Sequence, residues 1–236
     1  MKNKQKKDIN YYLTKLVKLE RRKYHPLVHK VHRKHNISKK TLFYIREYGP
    51  HSHIPRVIIK ESIKVLLLAS IISSIGGLAF ENIKDIFISL IPIIILFPAL
   101  NGLIGGFGGI VSSKFASMLH EGKAIGSLLK SRELKTLLIQ ILIISTITTS
   151  LSALVSLVLS QFSSYSLNFD IALKVFLIAI IDSTILVMAL FFIAIKAGIY
   201  LFKKKEDPNN FLIPITTAIA DFGNMIILSF LIILFF

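Results

Sequence analysis

Asp207–Phe236 reads DPNNFLIPITTAIADFGNMIILSFLIILFF, an apolar run long enough to cross a bilayer that carries a carboxylate, Asp221, near its middle. A charged side chain at the centre of a membrane helix costs about 2.5–3.5 kcal/mol on insertion scales, so it marks an ion or proton path. The bland alternative is a polar residue that only glues helices together. Spacing favours the path. Pro214, Thr217, Asp221 and Asn224 fall on one helical face. Pro214 also frees the carbonyl one turn earlier, which a membrane helix tolerates only against protein or a wet cavity. A polar, kinked stripe on an apolar helix is the profile of a pore wall.

The rest of the chain supplies a membrane around that stripe. It is 53% hydrophobic yet has a formal net charge of +16. Both hold because the charge is segregated: residues 1–64 contain 18 of the 29 Lys and Arg against four acids. The first thirty residues lack the apolar region of a secretory signal. The chain has no cysteine, which excludes disulfides and thiolate metal sites. Beyond the arm the apolar runs are hydrophobic all round, unlike the one-faced helices of a soluble core.

Residues 1–55 are expected to form a basic cytosolic arm, helical in two pieces. Ile9, Tyr12, Leu13, Leu16 and Leu19 make a rough apolar stripe, and a second short helix is expected from Ser38 to Gly49-Pro50. His25, His29 and His32 share one helical face, which makes a metal-binding arm one reading. Anionic headgroups are the better partner, since they attract each Lys or Arg by about 1 kcal/mol near the surface. Nucleic acid is not favoured, because no recognition motif accompanies the charge.

Residues 56–236 are expected to be a membrane domain of five helices, near Arg56–Phe80, Ile86–Val111, Leu134–Leu159, Ile171–Phe202 and Asn210–Phe236. The fold class is therefore an all-α, multi-pass membrane protein. The arm, the 112–133 connection and Lys203-Lys204-Lys205 are basic, whereas the 81–85 and 160–170 connections share one lysine, Lys84. The positive-inside rule then puts the N-terminus in the cytosol and the C-terminus outside. In that frame Asp221 lies about 20 Å from its helix entrance, Asn101 about 22 Å and Asp182 about 16 Å, all near the midplane. The second span is also rich in Pro and Gly. Pro92, Pro98, Gly102, Gly105, Gly106, Gly108 and Gly109 fit close helix packing, a pore lining, or both. Ser145, Thr149, Ser152 and Ser156 on the third span fit helix packing.

Two motifs resemble a known family. Phe97-Pro98-Ala99-Leu100-Asn101-Gly102-Leu103, continued through Ser112-Ser113-Lys114-Phe115-Ala116-Ser117 to His120-Glu121-Gly122, resembles the second-helix signature of MgtE-type magnesium transporters. The form is similar to that shared by archaeal homologues and eukaryotic magnesium solute carriers. Asp207-Pro208-Asn209-Asn210, Pro214, Thr217 and Asp221 resemble that family's last helix, DPxNxxxPxxTxxxD. The resemblance implies a divalent-cation transport domain that forms a homodimer, with the second and fifth spans lining a central path. It implies that Asp221 binds the ion and that Pro98, Ala99 and Leu100 are the family's second-helix Pro-Ala-Leu. The sequence departs from the pattern at Gly106, where asparagine is usual, at Asn224, where glycine is usual, and at Lys114, where arginine is usual. The basic arm stands where bacterial members carry a large cytosolic regulatory region, so the resemblance does not extend to their magnesium-sensing gate.

The chemistry suits Mg2+, which sheds water reluctantly and is held by one or two carboxylates while keeping several waters. The expected ion-contacting residues are Asp221, Asn101, Thr217 and Asp182. The expected lining is Pro98, Gly102, Gly105, Gly106, Pro214 and Asn224. Uptake needs no coupling motif, and no GxxxxGK[ST] stretch is present. Two other classes compete: an intramembrane metal-dependent enzyme acting on lipid, and a membrane scaffold that uses its basic arm.

Overall fold

Within a bilayer, backbone N–H and C=O groups have no water to bond, so an apolar span satisfies them within its own helix. The computed structural model follows this rule. It describes residues 11–12, 26–35, 42, 54–120, 131–163, 165–203 and 208–236. The helices are α1 (Pro26–His35), α2 (Ile54–Glu81), α3 (Lys84–Ser89), α4 (Ile91–His120), α5 (Arg132–Phe162), α6 (Phe169–Lys203) and α7 (Pro208–Phe235). The described residues include no strand. Five helices, α2 and α4 to α7, are long and apolar enough to cross a membrane. Large aliphatic side chains such as Leu67 and Leu78 on α2 and Ile147 and Leu151 on α5 point outward. That surface suits lipid and would aggregate in water.

The span boundaries follow local chemistry. The second span begins at Ile91, not at Ile86, because helical dihedrals break at Leu90 (φ −100°, ψ 72°). Pro92 then falls in the first turn of α4, where its missing N–H costs nothing. Residues Lys84–Ser89 form the separate helix α3. Asn101 therefore lies ten residues, about 15 Å, into its helix rather than about 22 Å. At the other end α4 continues past Val111 to His120, so Ser112–Ser117 are helical and not part of a connection. No helix breaker interrupts them, and Phe115 and Leu119 are buried against α5 and α6. Ser131 caps α5 by accepting from the Leu134 N–H at 3.2 Å, which starts that helix before Leu134.

In the arm, Pro26 opens α1, and that helix carries His29, His32 and His35. The Tyr12 ring lies 6.0 Å from His35 and 5.1 Å from Lys34 Nζ. The expected stripe at Ile9, Leu13, Leu16 and Leu19, the helix from Ser38, and His25, Lys204, Lys205 and Asp207 lie outside the described residues. Among the described residues no cluster of three metal-ligating side chains is present in the arm or elsewhere.

Among the long helices α7 packs against α2, α4 and α6, while α5 covers α4 and α6. Contact register gives their directions. Gly198 meets Leu212 and Gly223 meets Leu186, so α6 and α7 run antiparallel. Gly108 meets Leu190 and Phe115 meets Gly198, so α4 and α6 run parallel. Ser73 reaches Asp221 and Gly76 reaches Met225, so α2 and α7 run parallel. An apolar cluster on α4, α6 and α7 includes Leu96, Leu100, Ile104, Leu186, Leu190 and Leu228. A second, on α4, α5 and α6, includes Phe107, Phe115, Ile141 and Phe191. At the corner joining α2, α3 and α4, Phe80 stacks on Phe87 and Phe97 meets both edge-on, with centroids 4.8 to 6.1 Å apart.

Candidate ion site

The glycines of α4 allow α7 to come close. A Cβ on Gly105 would lie 3.5 Å from Thr217 Cγ2, and one on Gly108 would lie 3.3 Å from Thr216 Cβ. Next to that contact Ser112 Oγ bonds Thr216 Oγ1 at 3.1 Å, fully buried. The Thr216 hydroxyl already donates to the Leu212 carbonyl at 2.8 Å, so Ser112 is the donor. α4 and α7 are thereby tied about 7.5 Å along α7 from Asp221.

Where the two helices part, they bound a cavity of about 340 Å³. Asn101, Gly102, Gly105, Gly106 and Gly109 line it from α4, and Ile213, Thr217 and Asp221 from α7. It is a groove on the flank of the bundle. Gly102 and Gly106 are exposed, and a Cβ at either would meet nothing within 4 Å.

Asp221 stands at the head of a hydrogen-bond chain. Asn101 Nδ2 donates to Asp221 Oδ1 at 2.8 Å, and Ser73 Oγ donates to Oδ2 at 3.2 Å. Asn224 Nδ2 in turn donates to Asn101 Oδ1 at 3.0 Å. An ionised carboxylate offers about four acceptor positions, so two donors leave roughly two for the groove. A mostly apolar, glycine-lined groove with a carboxylate, an amide and a threonine converging at mid-span suits a hydrated cation that exchanges only some of its waters.

The family comparison bears on the same two helices. The family model for MgtE, divalent cation transporter, matches residues 97–231, which is more than half of the chain and runs from the start of the α4 motif through most of α7. The chain belongs to the MgtE family. It is a multi-pass membrane protein of a family that transports divalent cations rather than one of enzymes. No curated protein and no solved structure matches it.

In this MgtE-family protein the residues singled out from the sequence divide into groups. Asp221, Asn101, Thr217, Gly102, Gly105 and Gly106 come together around the groove. Asn224 is fully buried behind it, bonded to Asn101. Pro98 and Pro214 lie on α4 and α7, outside the groove lining. Asp182 is separate: it is fully buried in α6, and neither carboxylate oxygen has a hydrogen-bond partner. Gly109 and Ile213 join the lining, and Ser73 reaches the carboxylate from α2. Ser73 was illegible in the sequence, being one serine among several on an apolar span. The one clue was Gly76, a turn later, where a small residue lets two helices approach.

Proposed function

We propose that this protein carries Mg2+ across the cytoplasmic membrane, through a path formed where two copies meet along α4 and α7. The supporting observation is the groove itself. It holds Asp221 at mid-span and opens sideways over Gly102 and Gly106, toward what would be lipid around a single copy. Anionic and amide groups do not face hydrocarbon, since unsatisfied polar groups there cost several kcal/mol each. A second copy related by a two-fold axis would cover the groove with its own and bring two Asp221 carboxylates to one passage. Two carboxylates with Thr217 hydroxyls nearby match the ligand demand of partly hydrated Mg2+.

Loop charge orients the path, with the basic arm and the α6–α7 connection on the cytosolic side. The arm then lies against anionic headgroups. A negative-inside potential of 100 mV favours inward movement of a double charge by about 4.6 kcal/mol, at about 2.3 per elementary charge, so uptake is downhill without a coupled reaction.

Purified protein in liposomes tests the proposal. Mg2+ should cross, with other divalents compared under the same gradient. No divalent flux from folded protein would overturn it. The interface has its own test, because the chain has no cysteine. Gly106→Cys should cross-link two copies in native membranes under mild oxidation, whereas Ile147→Cys, on the outward face of α5, should not.

A further inference from the structure

We infer that Ser73 and Asn224, neither of which lines the groove, are positioning residues that hold the Asp221 carboxylate toward the ion path. Asn101 then serves that path as a hydrogen-bond donor to Asp221 and not as an oxygen ligand. The inference rests on the transport reading above, and goes beyond it by assigning roles to residues behind the path.

The polarity of the chain carries the argument. A carboxylate can only accept, so Asn101 must turn its Nδ2 toward Asp221. Its Oδ1 then faces Asn224, which must answer with its own Nδ2. Each amide orientation is dictated by the one before it, beginning at the charge. The far end bears the cost: Asn224 Oδ1 is fully buried and has no donor. Local packing alone would not select that orientation of Asn224. A carboxylate two bonds away does, because breaking the order there would set the Asn101 oxygen against a negative charge.

The second oxygen is held from another direction. Ser73 donates to Oδ2 from α2, a helix outside the matched residues 97–231. One turn further on, Gly76 brings α2 against the α7 backbone: a Cβ there would lie 3.0 Å from Phe222 Cα and 2.9 Å from Met225 Sδ. Phe222 is the neighbour of Asp221, so this tight contact between the two helices sits beside the bond it serves. Donors from α2 and α4 thus fix both oxygens and with them the rotation of the carboxylate. Partners that orient a ligating carboxylate in this way typically affect metal affinity by 10–100-fold.

The test compares Ser73→Ala, Asn224→Leu and Gly76→Ala with the unaltered protein in liposomes. The half-saturating Mg2+ concentration should rise on the order of ten-fold in each. Maximal flux should stay within about two-fold, since Asp221 itself is intact. A parallel measurement needs no transport. In divalent-free membranes, the carboxylate infrared band that disappears in Asp221→Asn should shift in Ser73→Ala and Asn224→Leu. An unshifted band with unchanged half-saturation would overturn the assignment. So would a loss confined to maximal flux, which would mark the residues as mere packing. If the unaltered protein carries no Mg2+, the transport reading fails while the band still decides the positioning roles. If Asn224→Leu does not fold, Ser73→Ala, at a half-buried position, decides alone.

Discussion

Gly106 and Gly108 are two residues apart on α4 and face opposite ways. A Cβ on Gly108 would lie 3.3 Å from both Leu190 Cδ1 and Thr216 Cβ, whereas one on Gly106 would meet nothing within 4 Å. One glycine closes the three-helix contact between α4, α6 and α7, and the other leaves the groove open. The same residue type thus does two jobs within one helical turn.

This separation predicts different failures. Gly108→Leu overfills a contact between buried side chains and should lower the unfolding temperature in detergent, by a destabilisation of about 1–3 kcal/mol. Gly106→Leu has room within one copy. It should keep the melting temperature of the isolated chain and reduce divalent flux by at least about ten-fold, a change of about 1.4 kcal/mol in barrier height. Equal melting temperatures for the two variants would contradict this division.

Asp221→Asn should fold. The new amide can accept from Asn101 with its oxygen and donate to the Ser73 hydroxyl with its nitrogen, so the chain of bonds survives the loss of charge. Divalent flux should fall by at least about 100-fold, the loss expected when the charge that holds the ion, worth about 2.7 kcal/mol or more, is removed. Normal flux from folded protein would make the carboxylate structural.

Asp182→Asn should behave differently. Asp182 lies outside the groove lining, with two buried oxygens that have no partner. An amide of the same shape has no charged form to bury, so thermal stability should hold or rise. Flux should stay within about three-fold of the unaltered protein, under about 0.7 kcal/mol. A loss equal to that of Asp221→Asn would put Asp182 on the path.

Topology can be read with tags. An N-terminal tag should be protected in intact cells and a C-terminal tag accessible from outside, as the basic connections require. Both tags on one side would remove a span and change the side from which each helix enters.

Much of this molecule was legible before its structure. Length and all-round apolarity define five spans, because a bilayer allows little else for such runs. Asp221 stands out because a carboxylate amid thirty mostly apolar residues is expensive, and expense is visible in one dimension. The start of α4 at Ile91 instead of near Ile86 was not legible, because the break at Leu90 falls inside a run that is apolar on both sides. Depth alone also grouped Asp182 with Asp221 and Asn101. Depth follows from counting residues along a helix, but the direction a side chain faces depends on which helix lies beside it. Only packing could place Asp221 on a groove and Asp182 in the interior of the bundle, divide Gly106 from Gly108, and bring Ser73 across from another helix. Those relationships join residues far apart in the chain, and no local period encodes them; the hydrogen bonds that orient Asp221 span more than a hundred positions and exist only once α2, α4 and α7 have docked.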